Sequence, residues 1–219
     1  MFQTELSNRV SKKFPGSKLV YRHIYAIASL LLISLLSSFR LSQPHQFISN
    51  WFDGFLGGLA HPVLGLHHLV NVVAIGLLSG IVVRGALIPG GFVLATLLGI
   101  INHLLYLNLP SAETAIAFFT IIFAVILAIA NQPNLMVMVL LVATAGLFHG
   151  YTYGQAILET PISAQVAYML GLTLTQYVVA MSAREIGNII SMRQLQNIRN
   201  ASGFAFSAMG IVFLSYSII

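Results

Sequence analysis

Seven long apolar stretches, separated by short polar segments, make up most of the chain. They cover about residues 21–39, 61–83, 88–108, 113–131, 134–150, 161–183 and 202–219. Each is close to the roughly 20 residues that an α-helix needs to cross the hydrocarbon core of a membrane. Proline or glycine stands at most of the joints, for example at Arg84-Gly85 and Thr160-Pro161, where helices are expected to end. The pattern predicts an all-α, polytopic membrane helix bundle of about seven spans.

Composition supports this class. Of the 219 residues, 58% are apolar and only 7% are charged, whereas a soluble domain carries about a quarter charged residues. We therefore expect a basic N-terminal segment, residues 1–20, followed by a single transmembrane domain, residues 21–219. The chain has no cysteine, which excludes disulfides and thiolate metal sites.

Two glycine-rich segments modify the simple picture of seven straight helices. Gly54, Gly57 and Gly58 precede the second span, so Trp51–Ala60 is expected to form an interfacial or re-entrant segment. At the end of the fifth span, Gly150-Tyr151-Thr152-Tyr153-Gly154 is expected to loosen the helix.

Basic residues indicate which way the bundle faces. Alternating the spans from a cytoplasmic N-terminus places nine lysines and arginines inside and only Arg40 outside, in agreement with the positive-inside rule. Seven spans then leave the C-terminus outside. The long basic segment before residues 21–39 favours an uncleaved anchor over a signal peptide. We expect a bacterial inner (plasma) membrane or an equivalent internal membrane, and we assign the +5 net charge to topology and not to nucleic-acid binding.

The same threading places six of the seven histidines and three of the five carboxylates at the outer ends of the spans. These residues are His45, His61, His67, His68, His103, His149, Asp53, Glu113 and Glu159. Ionisable side chains in or near hydrocarbon are costly, so their collection on one side suggests a functional site. His23 lies on the cytoplasmic side and is interpreted as incidental.

The second span contains the strongest candidate ligands. On a straight helix turning about 100° per residue, His61 and His68 lie within about 20° of each other, and Asn71 is on nearly the same face. His67 points about 100° away from His68. Gly65, between the two aligned histidines, allows an ion to approach. Two imidazoles on one face form half of a site for a borderline divalent metal.

Two further histidines lie on other spans. His149, near the end of the fifth span, is expected to be a third ligand, and His103, near the end of the third, a fourth. The alternative is that each histidine only hydrogen-bonds interfacial water or neighbouring carbonyl groups. No nucleophile elbow, phosphate-binding glycine loop or dinucleotide fingerprint is present, so we do not expect an enzyme.

Two motifs carry a family resemblance. His61-Pro62-x-x-Gly65-x-x-His68 and Phe148-His149-Gly150-x-x-x-Gly154 resemble motifs of the HupE/UreJ family over roughly Gly54 to Ile219. That family comprises small membrane proteins associated with hydrogenase and urease gene clusters and regarded as nickel or cobalt permeases. The resemblance implies that His61, His68 and His149 bind a metal.

The chain departs from the family pattern at three positions. His67 stands where the family has an aspartate, Tyr153 where it has a second histidine, and Ala156 near where it has an acid. Loss of the anionic ligand should weaken or alter a divalent site. The additional imidazole of His67 could shift its preference towards copper or zinc, or the site could be degenerate.

The resemblance and the residues together imply a secondary permease or binder of a divalent transition metal, nickel or cobalt. His61, His68 and His149 would capture the ion, His67 and His103 would assist, and Asn71 would provide a polar step deeper in the bundle. Because imidazole binds metal in its neutral form, uptake should weaken below about pH 6–6.5. Apart from the ion, we expect membrane lipid as partner and no nucleic acid. The alternative is a non-transporting accessory subunit, built on a degenerate permease scaffold and bound to other membrane subunits.

Overall fold

In a computed structural model of the chain, every regular element among the described residues is an α-helix. The described residues are 48–109, 111–129, 133–192 and 196–218. The helices are α1 (Trp51–Leu64), α2 (Leu66–Ile81), α3 (Leu87–Leu104), α4 (Ala112–Ala128), α5 (Leu135–Gln155), α6 (Ile162–Met192) and α7 (Gln196–Ile218). The predicted all-α bundle is confirmed. The basic segment 1–20 and the predicted first span, 21–39, lie outside the described residues.

Most of these helices have the length and composition of membrane spans. Within the described parts of the chain, α3, α5, α6 and α7 are long and apolar enough to cross a membrane. The pair α1 and α2, bent by 77° at Gly65, makes a fifth if it is counted as one broken span, and α4 is a shorter apolar helix of 17 residues. These helices identify an integral membrane protein.

The pair α1 and α2 follows one neighbour, α6, from end to end. Gly54 and Gly58 of α1 lie against Ala164 and Tyr168, near the start of α6. Gly76 and Gly80 of α2 lie against Ala180 and Arg184, further along α6. Both half-helices therefore run in the same direction as α6, as expected for one span interrupted in its course. Trp51–Ala60, expected as an interfacial or re-entrant segment, forms most of α1.

The break has a local cause in the sequence. Pro62 lies in the last turn of α1 and has no N–H to continue the helical hydrogen bonds. The backbone of Gly65 is extended, with φ −80° and ψ 99°, and its N–H donates to the carbonyl oxygen of His61. The prediction of a single straight helix over 61–83 is therefore wrong. His61 and His68 lie on different helices, on either side of the break.

Glycines also bring α3 and α5 together. A Cβ atom at Gly99 would overlap the carbonyl oxygen of Leu147, and one at Gly150 would overlap that of Thr96. α5 stays helical through Gly154 and ends at Gln155. The expected loosening of this segment is not observed, because its glycines permit close helix packing instead of a change in backbone direction.

Successive full-length helices alternate in direction. α2 and α6 run one way, α3 and α5 run the other way, and α7 packs antiparallel to α4, with Gly203 near Ala124 and Gly210 near Ile121. The starts of α2, α4 and α6 thus share one end of the bundle with the ends of α3, α5 and α7, as the predicted alternation requires. We call this the histidine end. Its location outside the cytoplasm remains a prediction.

The opposite end of α4 is capped by side chains of α7. The Arg199 guanidinium donates to the carbonyl oxygens of Leu127 and Ile129, and Gln196 donates to that of Ala128. The last carbonyls of a helix have no partner within it. These bonds therefore supply hydrogen-bond donors to the last carbonyl groups of α4 and hold α7 beside it.

Candidate metal site at the helix break

Four of the five histidines predicted as ligands come together at the break. The ring centres of His67 and His68 are 4.0 Å apart, those of His61 and His68 are 5.8 Å apart, and those of His68 and His149 are 5.1 Å apart. Three helices contribute: α1 carries His61, α2 carries His67 and His68, and α5 carries His149. The bend places His61 and His68 in contact by a route different from the alignment expected on a straight helix. We call these four side chains the imidazole cluster.

Two members of the imidazole cluster are buried deep within the bundle. His149 is completely buried and His68 is 3% exposed. His149 precedes the end of α5 by six residues, which corresponds to roughly 9 Å along the axis. The site is thus deeper than the position expected at the outer ends of the spans.

Two tyrosines complete the surroundings of the imidazoles. The ring centre of Tyr153 lies 4.4 Å from that of His68, 4.9 Å from that of His61 and 6.3 Å from that of His149. The hydroxyl of Tyr168, on α6, is hydrogen-bonded to Nδ1 of His61. Sequence reasoning missed Tyr168, because no local motif connects it to a histidine more than a hundred residues earlier.

Several buried polar atoms of this group have no hydrogen bond of ordinary geometry. They include Nδ1 of His68, both ring nitrogens of His149 and the hydroxyl of Tyr153. Buried polar atoms in folded proteins are almost always paired, and leaving one unpaired costs roughly 1–3 kcal/mol. These atoms are therefore suited to receiving a bound ion or water.

A pocket of about 420 Å³ leads to the imidazole cluster. Its lining comprises Ile48, Gly57, Ala60, His61, Leu64, Gly65, His67, His68, Ala156 and Tyr168. His67 is the least buried of the four histidines, and its ring also packs against Phe213 of α7. The pocket is therefore open to His61 and His67, both of which are partly exposed.

Asn71 lies one turn beyond His67 on α2 and is fully buried. Its amide donates to the hydroxyl of Thr120, on α4, and to the carbonyl oxygens of His67, at 3.1 Å, and Ile116, at 3.4 Å. Its side-chain oxygen has no partner. Asn71 is therefore a buried side chain with an unpaired acceptor, one turn along α2 from His67. Its role as a deeper polar step remains a prediction.

The structure does not bring His103 to the imidazole cluster. Its ring packs at 4.4 Å against that of Tyr151, and its Cβ atom lies next to Gly154, at the contact between α3 and α5. Asp53 is also separate, since it belongs to the first turn of α1 and is hydrogen-bonded to Asn50. Glu159 is exposed between α5 and α6, and His45 lies outside the described residues.

The ligand atoms are not arranged around a common point. Among residues 48–109, 111–129, 133–192 and 196–218, no three histidine or carboxylate side chains form a group that could hold a metal as they stand. The four rings are adjacent, but Nδ1 of His61 is used by Tyr168. Metal binding here would require rotation of imidazole rings.

Comparison with known proteins gives the family. The profile of the HupE/UreJ protein family matches residues 31–213. The chain belongs to the HupE/UreJ family. The match begins before Gly54, where the motif resemblance starts, and includes part of the predicted first span. Protein HupE of Rhizobium leguminosarum bv. viciae is 26% identical over 176 residues, which are 79% of this chain and 91% of that protein. No solved structure gives a significant match.

Membership in HupE/UreJ confirms the resemblance inferred from the two histidine motifs. Both motifs contribute to one site: the first supplies His61 and His68, and the second supplies His149. The site therefore lies in the part of the chain that the family shares.

Proposed function

We propose that this HupE/UreJ protein is a secondary permease or binder of a divalent transition metal ion, nickel or cobalt by family association. The observation that carries this proposal is the meeting of four imidazoles from α1, α2 and α5 at a helix break within the bundle. Neutral imidazole is a good ligand for borderline divalent metals. The ion is the substrate of the site.

The spacing of the rings supports shared coordination. Imidazoles bound to one metal at about 2.0–2.1 Å in a tetrahedral site have ring centres roughly 5 Å apart. The ring centres of His68 and His149 are 5.1 Å apart, and those of His61 and His68 are 5.8 Å apart. Ring rotation can therefore turn nitrogens toward an ion without movement of a helix. Since both nitrogens of His149 are unpaired, its rotation breaks no hydrogen bond of ordinary geometry.

The burial of the four rings suggests an order of events. An ion entering the pocket would meet the partly exposed His67, pass to His68 and His61, and reach the fully buried His149. Asn71 would then offer its oxygen one turn further along α2. Interrupted helices that expose polar backbone beside an ion site are a recurrent feature of secondary transporters.

The donor set bears on the choice of metal. All four histidines are neutral when they coordinate, and the positions where the family has acids hold His67 and Ala156. Imidazole nitrogens bind nickel and cobalt, and they also bind copper and zinc, which are therefore alternative substrates.

Metal titration of the purified protein tests this proposal. Elemental analysis and Co²⁺ titration of the wild-type protein should show about one bound ion per chain. His61→Ala and His68→Ala should each remove most of the binding. The double variant should be little worse than either one, because two ligands of one ion act as a unit.

His103→Ala is the matched control, since His103 is also on a span but lies apart from the imidazole cluster. It should retain binding close to that of the wild type. A wild-type protein that binds no Co²⁺ or Ni²⁺, or small and additive losses in the two variants, would contradict the proposal.

A second candidate function is that of a non-transporting accessory subunit. It is favoured by the finding that no three ligand side chains in the described parts of the chain form a ready metal site. Under this alternative, the protein would purify with other membrane subunits in fixed proportion, without metal, and the histidine variants would assemble normally.

A further inference from the structure

Gln176 is a fully buried polar side chain on α6 that the histidine motifs do not include. Neither the oxygen nor the nitrogen of its carboxamide makes a hydrogen bond of ordinary geometry. A buried amide without hydrogen-bond partners is destabilising, because burial removes its hydrogen bonds to water and nothing replaces them. An apolar residue would avoid this cost, so a glutamine at this position is suited to bind an occupant that reaches its carboxamide.

Tyr153 connects Gln176 to the imidazole cluster. Its ring contacts those of His61 and His68. Its hydroxyl is also close enough to the side chain of Gln176 to interact with it, although the geometry is not that of an ordinary hydrogen bond. Along α6, Gln176 follows Tyr168 by eight residues, or roughly 12 Å. Gln176 thus lies further along α6 than Tyr168, the residue whose hydroxyl is bonded to His61.

The kind of ligand atom differs between the imidazole cluster and the pair Tyr153 and Gln176. The imidazole cluster offers nitrogen ligands, whereas Tyr153 and Gln176 offer neutral oxygens, which bind borderline divalent metals less strongly than imidazole does. An ion can pass through a protein only if each site is strong enough to receive it and weak enough to release it. A weaker oxygen site beyond a nitrogen site meets this requirement.

We propose that the carboxamide oxygen of Gln176 and the hydroxyl of Tyr153 form an inner oxygen site, to which a divalent cation passes when it leaves the imidazoles. This inference rests on the proposed transport function. The proposed site gives Gln176, on α6, a role in the release of the ion from the imidazoles and not in its initial binding. Loss of Gln176 should therefore separate equilibrium binding from transport.

Gln176→Met tests the inner oxygen site in the full-length chain. It keeps the length of the side chain and removes both polar atoms. In detergent, Co²⁺ should bind the variant with an affinity within about twofold of that of the wild type and with the same visible absorption spectrum, because the imidazoles are unchanged. In proteoliposomes containing a trapped fluorescent metal indicator, the initial rate of Co²⁺ uptake should fall by about tenfold or more.

Two further variants control this experiment. Gln176→Glu keeps an oxygen at the same place, in a carboxyl group whose neutral, protonated form is favoured by burial. It should restore uptake to within about threefold of the wild-type rate. Ser182→Ala removes the hydroxyl of a different buried polar residue of α6, which also has no hydrogen-bond partner. Ser182 lies about 120° around the helix from Gln176, so its loss should leave both the Co²⁺ affinity and the uptake rate unchanged. The melting temperature of each variant in detergent verifies that it is folded.

The outcomes distinguish this inference from the proposed function. If the wild-type protein takes up Co²⁺ and Gln176→Met takes it up at the same rate, the inner oxygen site is overturned and the permease proposal is not. Loss of Co²⁺ affinity in Gln176→Met would also overturn it, because Gln176 would then support the imidazoles. A misfolded Gln176→Met together with a folded but inactive Gln176→Glu would count against it as well. A wild-type protein that neither binds nor transports Co²⁺ would overturn both proposals.

Discussion

The hydroxyl of Tyr168 is hydrogen-bonded to Nδ1 of His61. This bond connects α6 to the last turn of α1, just before the break at Gly65. It orients the His61 ring and leaves Nε2 as the nitrogen available to an ion. Partners that orient a metal-binding histidine in this way are important for affinity.

Tyr168→Phe should therefore weaken metal binding without removing a ligand. We expect the dissociation constant for Co²⁺ to rise by about tenfold, since the loss of such outer partners costs 10–100-fold in other metal sites. Isothermal titration calorimetry in detergent measures the change. Tyr177→Phe, on the same helix at a 46% exposed tyrosine, should have no effect. Equal affinities in the two variants would show that the hydrogen bond does not orient a ligand.

Gly58→Ala should destabilise the contact between α1 and α6. A Cβ atom at Gly58 would overlap the carbonyl oxygen of Tyr168 and approach the backbone nitrogen of Leu172. Since backbone atoms cannot rotate away, we expect a loss of roughly 1–3 kcal/mol, visible as a lower melting temperature in detergent. Gly90→Ala is the control, because a Cβ atom there meets nothing within 4 Å. A Gly58→Ala variant as stable as Gly90→Ala would contradict the close packing of these helices.

The sidedness of the bundle can be tested with single cysteines, since the chain has none. Glu159→Cys, at an exposed position at the histidine end, should react in intact cells with an impermeant thiol reagent. Val83→Cys, at an 83% exposed position near the opposite end, should react only after the membrane is opened. The reverse labelling pattern would place the pocket on the cytoplasmic side, contrary to the positive-inside assignment.

Restoring the family pattern should strengthen a nickel or cobalt site. Ala156 and His67 line the same pocket, and Tyr153 lies among three imidazoles. His67→Asp, Tyr153→His and Ala156→Glu together should tighten Ni²⁺ and Co²⁺ binding, and each tenfold gain corresponds to about 1.4 kcal/mol.

Ala156→Gln, in place of Ala156→Glu, controls for size without charge. Because Ala156 is exposed, the carboxylate should cost little stability. A triple variant that is folded but binds neither Ni²⁺ nor Co²⁺ would favour the accessory-subunit alternative.

The bundle was predictable because hydrophobic length determines it. Each predicted span from 88–108 onward corresponds to one helix. The break at Gly65 was not predicted, although Pro62 and Gly65 indicate it in retrospect. A proline in the last turn followed by an extended glycine ends one helix and starts another, whereas a proline in a first turn does not interrupt a helix.

The site was predictable only in part, because sequence position gives the depth of a residue and not the direction in which its side chain points. His149 and His103 are both near the ends of their helices, yet only His149 faces the other histidines. Tyr168 and Gln176 were missed because their roles depend on α6 packing beside α1 and α2, which lie about a hundred residues earlier in the chain. No local pattern encodes that contact.

The neutrality of the side chains at the helix break has an energetic consequence. The imidazoles in their metal-binding form, Tyr153 and Gln176 bring no formal negative charge to an ion. A divalent cation passing them would carry both of its charges across the membrane uncompensated. A membrane potential of 100 mV, negative inside, contributes roughly 2.3 kcal/mol per charge, or about 4.6 kcal/mol for two. Under the proposed permease function, entry of an unaccompanied divalent cation would therefore be electrogenic and would be driven inward by the voltage.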